Sequence, residues 1–145
     1  MSKFTSHGIT VEFDDNSQEV LNALQNAVER GLMAIGETAA GHAKEEITRQ
    51  KAVDTGRLRN SIAYTVKDDE VYIGTNVEYG QYIEFGTGQY AETGGGTPKP
   101  SWVYQDEFGN WHRAYPQKPR PFLKPAAADH TKEYRDLLKE SLENA

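Results

Sequence analysis

Eight apolar residues in the first third of the chain recur at the period of an α-helix. Their steps of three or four residues average about 3.7, which matches a helix and not a strand. They are Leu21, Leu24, Val28, Leu32, Ile35, Ala39, Ala43 and Ile47. The spacing predicts one amphipathic helix from about Ser17 to Gln50, on the order of 50 Å long at ~1.5 Å per residue. Because this exceeds what the core of a 145-residue domain requires, we expect part of the helix to contact another subunit.

Three glycines, Gly31, Gly36 and Gly41, fall inside this predicted helix. Each costs up to about 1 kcal/mol relative to alanine in a helix interior. They either permit close backbone packing or mark a kink, and the sequence is compatible with both.

The other predicted elements are shorter. Residues 8–13 alternate as a strand does, and Asp54 or Thr55 can cap a short helix. A hairpin is predicted from the strands IAYTVK and VYIG, and a second from SWVYQ and WHRAY. Between them, YGQYIEFG predicts a short helix or turn stopped by Gly86.

Glycines and prolines then predict a flexible loop over residues 86–100, and Pro121 or Pro125 can open a final helix. This order predicts an α+β fold in one domain over residues 1–145. A long N-terminal helix and a C-terminal helix pack on a small antiparallel β-sheet, and the flexible loop and aromatic hairpin form an insert at 86–120.

Composition narrows the class of protein. The chain has 16 basic and 22 acidic residues, a net charge of −6, and no cysteine, so a globally basic nucleic-acid surface, disulfides and cysteine chemistry are excluded. The stretch from Lys99 to Lys124 is net positive, with five basic and two acidic residues, whereas the rest of the chain is net acidic. The chain has no apolar run of the roughly 18 residues that a membrane span needs, and we expect it in the cytoplasm when it is made.

No catalytic or cofactor motif stands out. The four histidines are scattered without a paired ligand pattern, which predicts no metal site. Glu78 and Glu84 could form a glycosidase-like pair, but surface acids are the simpler interpretation. Ser61 and Ser101 lack a nucleophile elbow, and the glycines match no phosphate-binding loop. We therefore expect no cofactor and no enzymatic activity.

The second hairpin carries the candidate interface. Its aromatic residues could stack on nucleic-acid bases beside Arg113 and Lys118, but aromatic hairpins more often anchor protein interfaces. The candidate interface residues are Trp102, Tyr104, Trp111, Arg113 and Tyr115. Arg57 and Arg59 could also hold an acidic partner, although solvated charges on a helix face are the default.

Three segments, VDTGRLRNSI (53–62), VEYGQYIEFGTG (77–88) and RPFLKPA (120–126), occur in this order. In this combination the chain resembles the putative tail-component family of long-tailed phages and prophages, over roughly residues 17–143. The resemblance implies a neck or tail-completion protein that joins head to tail, with no active site.

Carried over residue by residue, the resemblance implies structural roles. Gly56 and Gly86 are expected to supply turn or cap geometry. Asp54 and Thr55 are expected to cap a helix. Core packing is expected of Phe85, Phe122 and Leu123. The other matching residues are Leu58, Ser61, Tyr82, Glu84, Thr87, Pro121 and Pro125.

The function expected from this resemblance is virion assembly in a ring on the order of six or twelve subunits at the head-tail neck or upper tail. Its partners would be other neck and tail proteins, such as head-closure, tail-terminator or major tail proteins. The isolated chain would be monomeric, and DNA would pass only as cargo. The alternatives are a nucleic-acid-binding accessory protein using residues 99–124 and, last, a small hydrolase using Glu84.

Overall fold

A computed structural model of the protein describes residues 2–13, 15–50, 55–87 and 101–145. The strands in these ranges are β1 (Ser2–Ser6), β2 (Ile9–Phe13), β3 (Ala63–Lys67), β4 (Glu70–Gly74), β5 (Trp102–Gln105) and β6 (Trp111–Ala114). The helices are α1 (Ser17–Gln50), α2 (Thr55–Ser61), α3 (Gly80–Phe85), α4 (Leu123–Ala128) and α5 (Thr131–Glu143). Most of the predicted glycine-rich loop, together with Asp54 and Lys99, lies outside the described residues.

The predicted α+β class is confirmed, with its strands in antiparallel pairs. The described strands form three two-stranded sheets, β1–β2, β3–β4 and β5–β6. The strand predicted at residues 8–13 is therefore the second arm of a hairpin. In β3–β4 the turn residues Asp68 and Asp69 have φ of 53° and 61°, the left-handed conformation that two-residue hairpin turns require.

The long helix α1 is continuous from Ser17 to Gln50, as its apolar period predicts. Asp15 holds its start by accepting hydrogen bonds from the Ser17 backbone N–H at 3.1 Å and the Ser17 hydroxyl at 2.7 Å. Among the described helices, none is long and apolar enough to cross a membrane.

Helix α5 packs antiparallel along one side of α1. Glu133, near the start of α5, contacts His42, whereas Ser141, near its end, donates a hydrogen bond to the Ala27 carbonyl at 2.6 Å. Between these points Gly31 lies against Leu138, where an added Cβ would come within 2.8 Å of Leu138 Cδ1. Glycine here lets the two backbones approach.

The β3–β4 hairpin contacts α1 through Gly36. A Cβ at Gly36 would lie 2.6 Å from Tyr64 Cγ, so the ring of Tyr64 occupies the space that a side chain would need. Gly41 has no atom within 4 Å of such a Cβ. At Gly31 and Gly36 the glycines therefore permit close packing, which was one of the two alternatives that the sequence left open.

The core lies around the C-terminal half of α1, where α2, α4 and the β3–β4 hairpin meet it. Much of what α1 buries is alanine, and the larger fully buried side chains are Phe122, Ile47 and Leu58. The buried cluster consists of Ala40, Ala43, Ile47, Leu58, Ile62, Val77, Phe122 and Ala126.

The single C-terminal helix expected from sequence is two helices. Helix α4 ends at Ala128, and α5 begins at Thr131 after Asp129 and His130, which are weak helix formers. The break has a packing reason. It lets α4 bury Ala126 in the core and α5 turn back along α1.

Gly36→Ala is expected to destabilise the protein by about 1 to 3 kcal/mol, because the new methyl group overpacks against Tyr64. Gly41→Ala is the matched control in the same helix. It should stabilise by up to about 1 kcal/mol, since alanine favours the helix and meets no neighbour. Thermal melts monitored by circular dichroism measure both changes. Equal shifts of the two variants would contradict the close packing at Gly36.

Candidate protein interface

A buried carboxylate joins the second and third sequence segments. Glu84 is 5% exposed and lies in α3. Its Oε2 accepts hydrogen bonds from the backbone N–H groups of Phe122 at 2.8 Å and Leu123 at 2.9 Å, and its Oε1 accepts one from Lys124 at 2.9 Å. These donors are Phe122, the residue before α4, and the first two residues of the helix, so Glu84 caps α4 from a distant part of the chain.

This contact satisfies the backbone N–H groups at the start of α4. A helix leaves its first N–H groups without intrahelical partners. Glu84 accepts from the first three positions, and the next residue, Pro125, has no N–H to satisfy. The negative carboxylate also complements the positive end of the helix dipole. With both oxygens engaged, Glu84 has a structural role, and its geometry does not favour use as a catalytic acid or base.

The residues around this cap divide into buried and exposed ones. Phe122 has no exposed surface, and Leu123 packs against the core. Phe85, expected in the core, is 42% exposed. The reason is helical geometry: the short helix α3 buries Gly80 and Glu84, four residues apart, and the position after Glu84 points away from that face.

The predicted turn glycines also differ from each other. Gly86 ends α3 with φ of 80° and donates its N–H to the Tyr82 carbonyl, which is cap geometry that favours glycine. Gly56 lies inside α2 without a positive φ. The turn or cap geometry expected at Gly56 is therefore not observed, because α2 already begins at Thr55.

A second contact ties α2 to the segment before α3. The Ser61 hydroxyl donates to the Leu58 carbonyl at 2.6 Å and lies 2.5 Å from the Thr75 hydroxyl. Thr75 in turn accepts from the Val77 N–H at 3.0 Å. Ser61 thus serves as a structural link between the first and second sequence segments, and this explains its place in the motif.

The insert leaves the fold through a narrow stem. The Thr87 N–H donates to the Gln117 carbonyl, and the Gln117 N–H donates to the Thr87 hydroxyl, both at 2.9 Å. The Arg120 N–H donates to the Ile83 carbonyl at 2.7 Å. The two ends of the insert are therefore adjacent, and the core is closed beneath them.

The aromatic hairpin β5–β6 divides its aromatic positions between two faces. Its register pairs Trp102 with Ala114, Val103 with Arg113, Tyr104 with His112 and Gln105 with Trp111. Because side chains alternate between faces, Tyr104 and His112 share one face, with ring centroids 5.3 Å apart, while Trp111 and Arg113 occupy the other. The register therefore rules out a single platform that contains both Tyr104 and Trp111.

The tip of this hairpin is held by Asp106. Its Oδ1 accepts from the backbone N–H groups of Phe108 at 2.9 Å and Asn110 at 2.8 Å, and its Oδ2 lies 2.7 Å from His112 Nε2. The hydrogen bond with His112, followed by that from the Asn110 N–H, holds the pKa of Asp106 below its ordinary value of 3.8. Gly109 completes the turn with φ of 84°.

The hairpin exposes large apolar groups to solvent. Trp111 is 70% exposed, and Tyr104, Phe108 and Tyr115 are exposed as well. Among the described helices and strands, none packs extensively against the hairpin. A partner could therefore bury these side chains without displacing part of the fold.

The two arginines of the first segment lie on the exposed side of α2. The Arg57 guanidinium carbon is 5.7 Å from the centre of the Tyr79 ring, a distance at which a cation and an aromatic face attract each other. Arg57 thus contacts its own chain, and Arg59 is exposed.

The first turns of α1 lie outside the core, and the sequence pattern did not indicate where the helix leaves it. Every residue from Ser17 to Asn26 is exposed, including the apolar Val20, Leu21 and Leu24. Helix α5 reaches Ala27 through Ser141 and ends two residues later, so these first turns of α1 extend beyond it. The apolar period did include Leu21 and Leu24, but periodicity does not distinguish a core contact from a subunit contact.

Two histidines that are far apart in the sequence lie together in the structure. His42 of α1 and His130 at the α4–α5 junction, expected to be scattered, stack with ring centroids 3.6 Å apart. Glu133 lies beside both rings.

Comparison with known proteins finds a family match. The family model of bacteriophage HK97-gp10, putative tail-component, matches residues 11–86, just over half of the chain. The match includes the first sequence segment and most of the second but ends at Gly86, before the aromatic hairpin and RPFLKPA. No curated protein and no solved structure matches the chain.

Glu84→Ala is expected to destabilise the protein by about 3 kcal/mol or more, because buried N–H groups lose charged acceptors. Glu84→Gln should cost less, about 1 to 2 kcal/mol, since one amide oxygen can still accept from Phe122 and Leu123. Glu78→Gln, at an exposed site, is the control and should leave the melting temperature unchanged. If all three variants melt alike, the cap does not hold α4.

Proposed function

Because the chain belongs to the bacteriophage HK97-gp10 tail-component family, we propose that this phage structural protein works at the head-tail neck or upper tail. There it forms or joins a ring that completes the tail and connects it to the head. Its location is then the virion, after assembly in the bacterial cytoplasm. Its partners are neighbouring neck and tail proteins, such as the head-closure, tail-terminator or major tail protein.

The observation that carries this proposal is the exposed start of α1. Leu21 is 56% exposed, and Val20 and Leu24 lie on the same turns with 48% and 43% exposed. Apolar side chains grouped on one projecting helix mark a protein contact more often than a solvated surface. In this arrangement the buried part of α1 holds the domain together, and its first turns contact the next subunit.

A ring follows from how such a contact repeats. A surface that binds a different surface of the next copy generates either an open filament or a closed ring. Tails have cyclic symmetry, so the ring, on the order of six or twelve subunits, is the form that fits a neck. The isolated chain is expected to be monomeric, because a single helical stripe is a small interface. Its net charge of −6 keeps DNA from adhering as it passes.

The insert is the second contact surface in this proposal. The stem at Thr87 and Gln117 isolates it from the core, and the hairpin exposes Trp111, Phe108 and Tyr115. Aromatic residues of this kind commonly dominate the energy of protein interfaces. We assign the insert to binding a neighbouring ring protein, and α1 to contacts within the ring.

The ring contact is testable by adding charge to the projecting helix. Leu21→Asp with Leu24→Asp should abolish joining of heads to tails, because two carboxylates oppose burial of the stripe. The melting temperature of the isolated protein should change by no more than about 2 °C, since both sites are exposed. The assay supplies each variant in a host whose phage lacks the gene and counts joined particles, free heads and free tails by electron microscopy.

Asn22→Asp with Gln25→Asp is the matched control, because it adds the same charge to exposed polar positions of the same turns. This control should support normal joining. Equal numbers of joined particles for the two double variants would remove the α1 contact from the proposal.

The insert is tested separately by replacing residues 88–116 with a short Gly-Ser linker. The adjacent stem residues Thr87 and Gln117 leave only a small gap to span, so the melting temperature should fall by only a few degrees. Joining should be lost. Trp111→Ala in the intact insert should weaken joining in the same direction, whereas normal virions from the replacement would show that the insert binds no essential partner.

A further inference from the structure

Two histidines and a glutamate meet beside the α4–α5 junction: His42 comes from α1, Glu133 from α5, and His130 from the junction itself. His42 Nε2 lies 3.0 Å from Glu133 Oε2, and His130 Nδ1 lies 3.7 Å from the same oxygen. In the described part of the chain, this is the group of three such side chains whose ligand atoms fall within 4.8 Å of one another. We propose that His42, His130 and Glu133 bind a divalent transition-metal ion of the Zn²⁺ type.

The donor set and its spacing fit such an ion. Two imidazoles and a carboxylate are a common ligand set for zinc, with a fourth position left to water. Zinc bonds of about 2.0 to 2.1 Å in a tetrahedron place neighbouring ligand atoms about 3.3 Å apart. The measured separations of 3.0 and 3.7 Å lie on either side of that value.

A carboxylate near His42 is placed to support it as a metal ligand. Its second ring nitrogen, Nδ1, faces Glu45 Oε2 at 3.6 Å. This separation is longer than a hydrogen bond, but the Glu45 side chain is exposed. Its rotation towards His42 would let Nδ1–H donate to the carboxylate once Nε2 binds the metal, which would orient the ring. The His42 side chain is only 18% exposed, so its neighbours restrict the orientation of the ring.

One ring must turn for both nitrogens to converge. The His42 and His130 rings are nearly parallel, with an angle of 3° between their planes, so their lone pairs run side by side. His130 is the more exposed, at 34%, and its rotation towards Glu133 brings Nδ1 onto the metal. The ion would then take the place of the proton that His42 and Glu133 share.

Bound metal would connect α1 directly to the start of α5. These helices meet at Gly31 with Leu138 and at Ala27 with Ser141 further along. A metal at His42 adds a third fixed point at the opposite end of α5. Since the ion binds the folded arrangement, it should raise the thermal stability of the protein.

The test uses the full, untagged chain after removal of metal with a chelator. Calorimetric titration with Zn²⁺ should give one ion per chain, and the melting temperature should rise with zinc concentration. Co²⁺ should give the intense visible absorption of a four-coordinate ion. His42→Gln, His130→Gln and Glu133→Gln should each weaken zinc binding by more than about tenfold, and Glu45→Gln by about tenfold.

His112→Gln is the matched control. His112 also faces a carboxylate, Asp106, at 2.7 Å, but it is not part of the three-residue group. This variant should bind zinc as the natural protein does. His130→Gln changes a more exposed residue than His42→Gln and leaves the His42–Glu133 contact between the helices in place, so it reports on binding with less disturbance of the helix pair.

Zinc binding no tighter in the natural protein than in a variant lacking both His42 and His130 would overturn the proposal. So would a loss of binding in His112→Gln equal to that in His130→Gln. These measurements involve no virion assembly. Their failure would leave the neck proposal standing, and a failed joining assay would leave the metal site standing.

Discussion

The buried Glu84 carboxylate is the contact on which the C-terminal half of this protein depends. It satisfies the first turn of α4, and through α4 it positions Phe122 and Ala126 in the core. The α4–α5 break then directs α5 back along α1. A charge is costly to bury, and the three backbone donors are what make this site tolerable. Glu84 precedes the insert in sequence and the three donors follow it. The same contact therefore joins the two parts of the domain that the insert separates.

Much of the fold could be predicted from the sequence, since local patterns carry it. The period from Leu21 to Ile47 predicts α1, and alternation around Asp68 and Asp69 predicts the β3–β4 hairpin. The remaining features depend on contacts between distant segments. No local pattern distinguishes Glu84 from an exposed acid such as Glu78, because its burial follows from where α4 lies. The exposure of Phe85 likewise depends on which face of α3 is buried, and the break between α4 and α5 depends on how each helix packs on α1.

In the candidate sites, too, local patterns predict some features and contacts between distant segments determine the others. Aromatic residues of the insert could be selected from their composition, and the register then separated Tyr104 from Trp111. His42 and His130 could not be paired from sequence, since only the antiparallel course of α5 along α1 brings them together. The family match ends at Gly86, so the hairpin lies beyond it, whereas the histidine pairing and the α4 cap each join one residue inside the match, His42 or Glu84, to residues beyond it.

The alanines that α1 buries have a consequence for how the protein is used. Ala27, Ala39, Ala40 and Ala43 permit close helix packing but remove little apolar surface from water. A subunit with such a core is expected to have modest stability of its own. Burial of the α1 stripe by a neighbour would add stability that the free chain lacks. Subunits left over from assembly would then be the first to unfold and be degraded, so the cell would retain this protein mainly in finished particles.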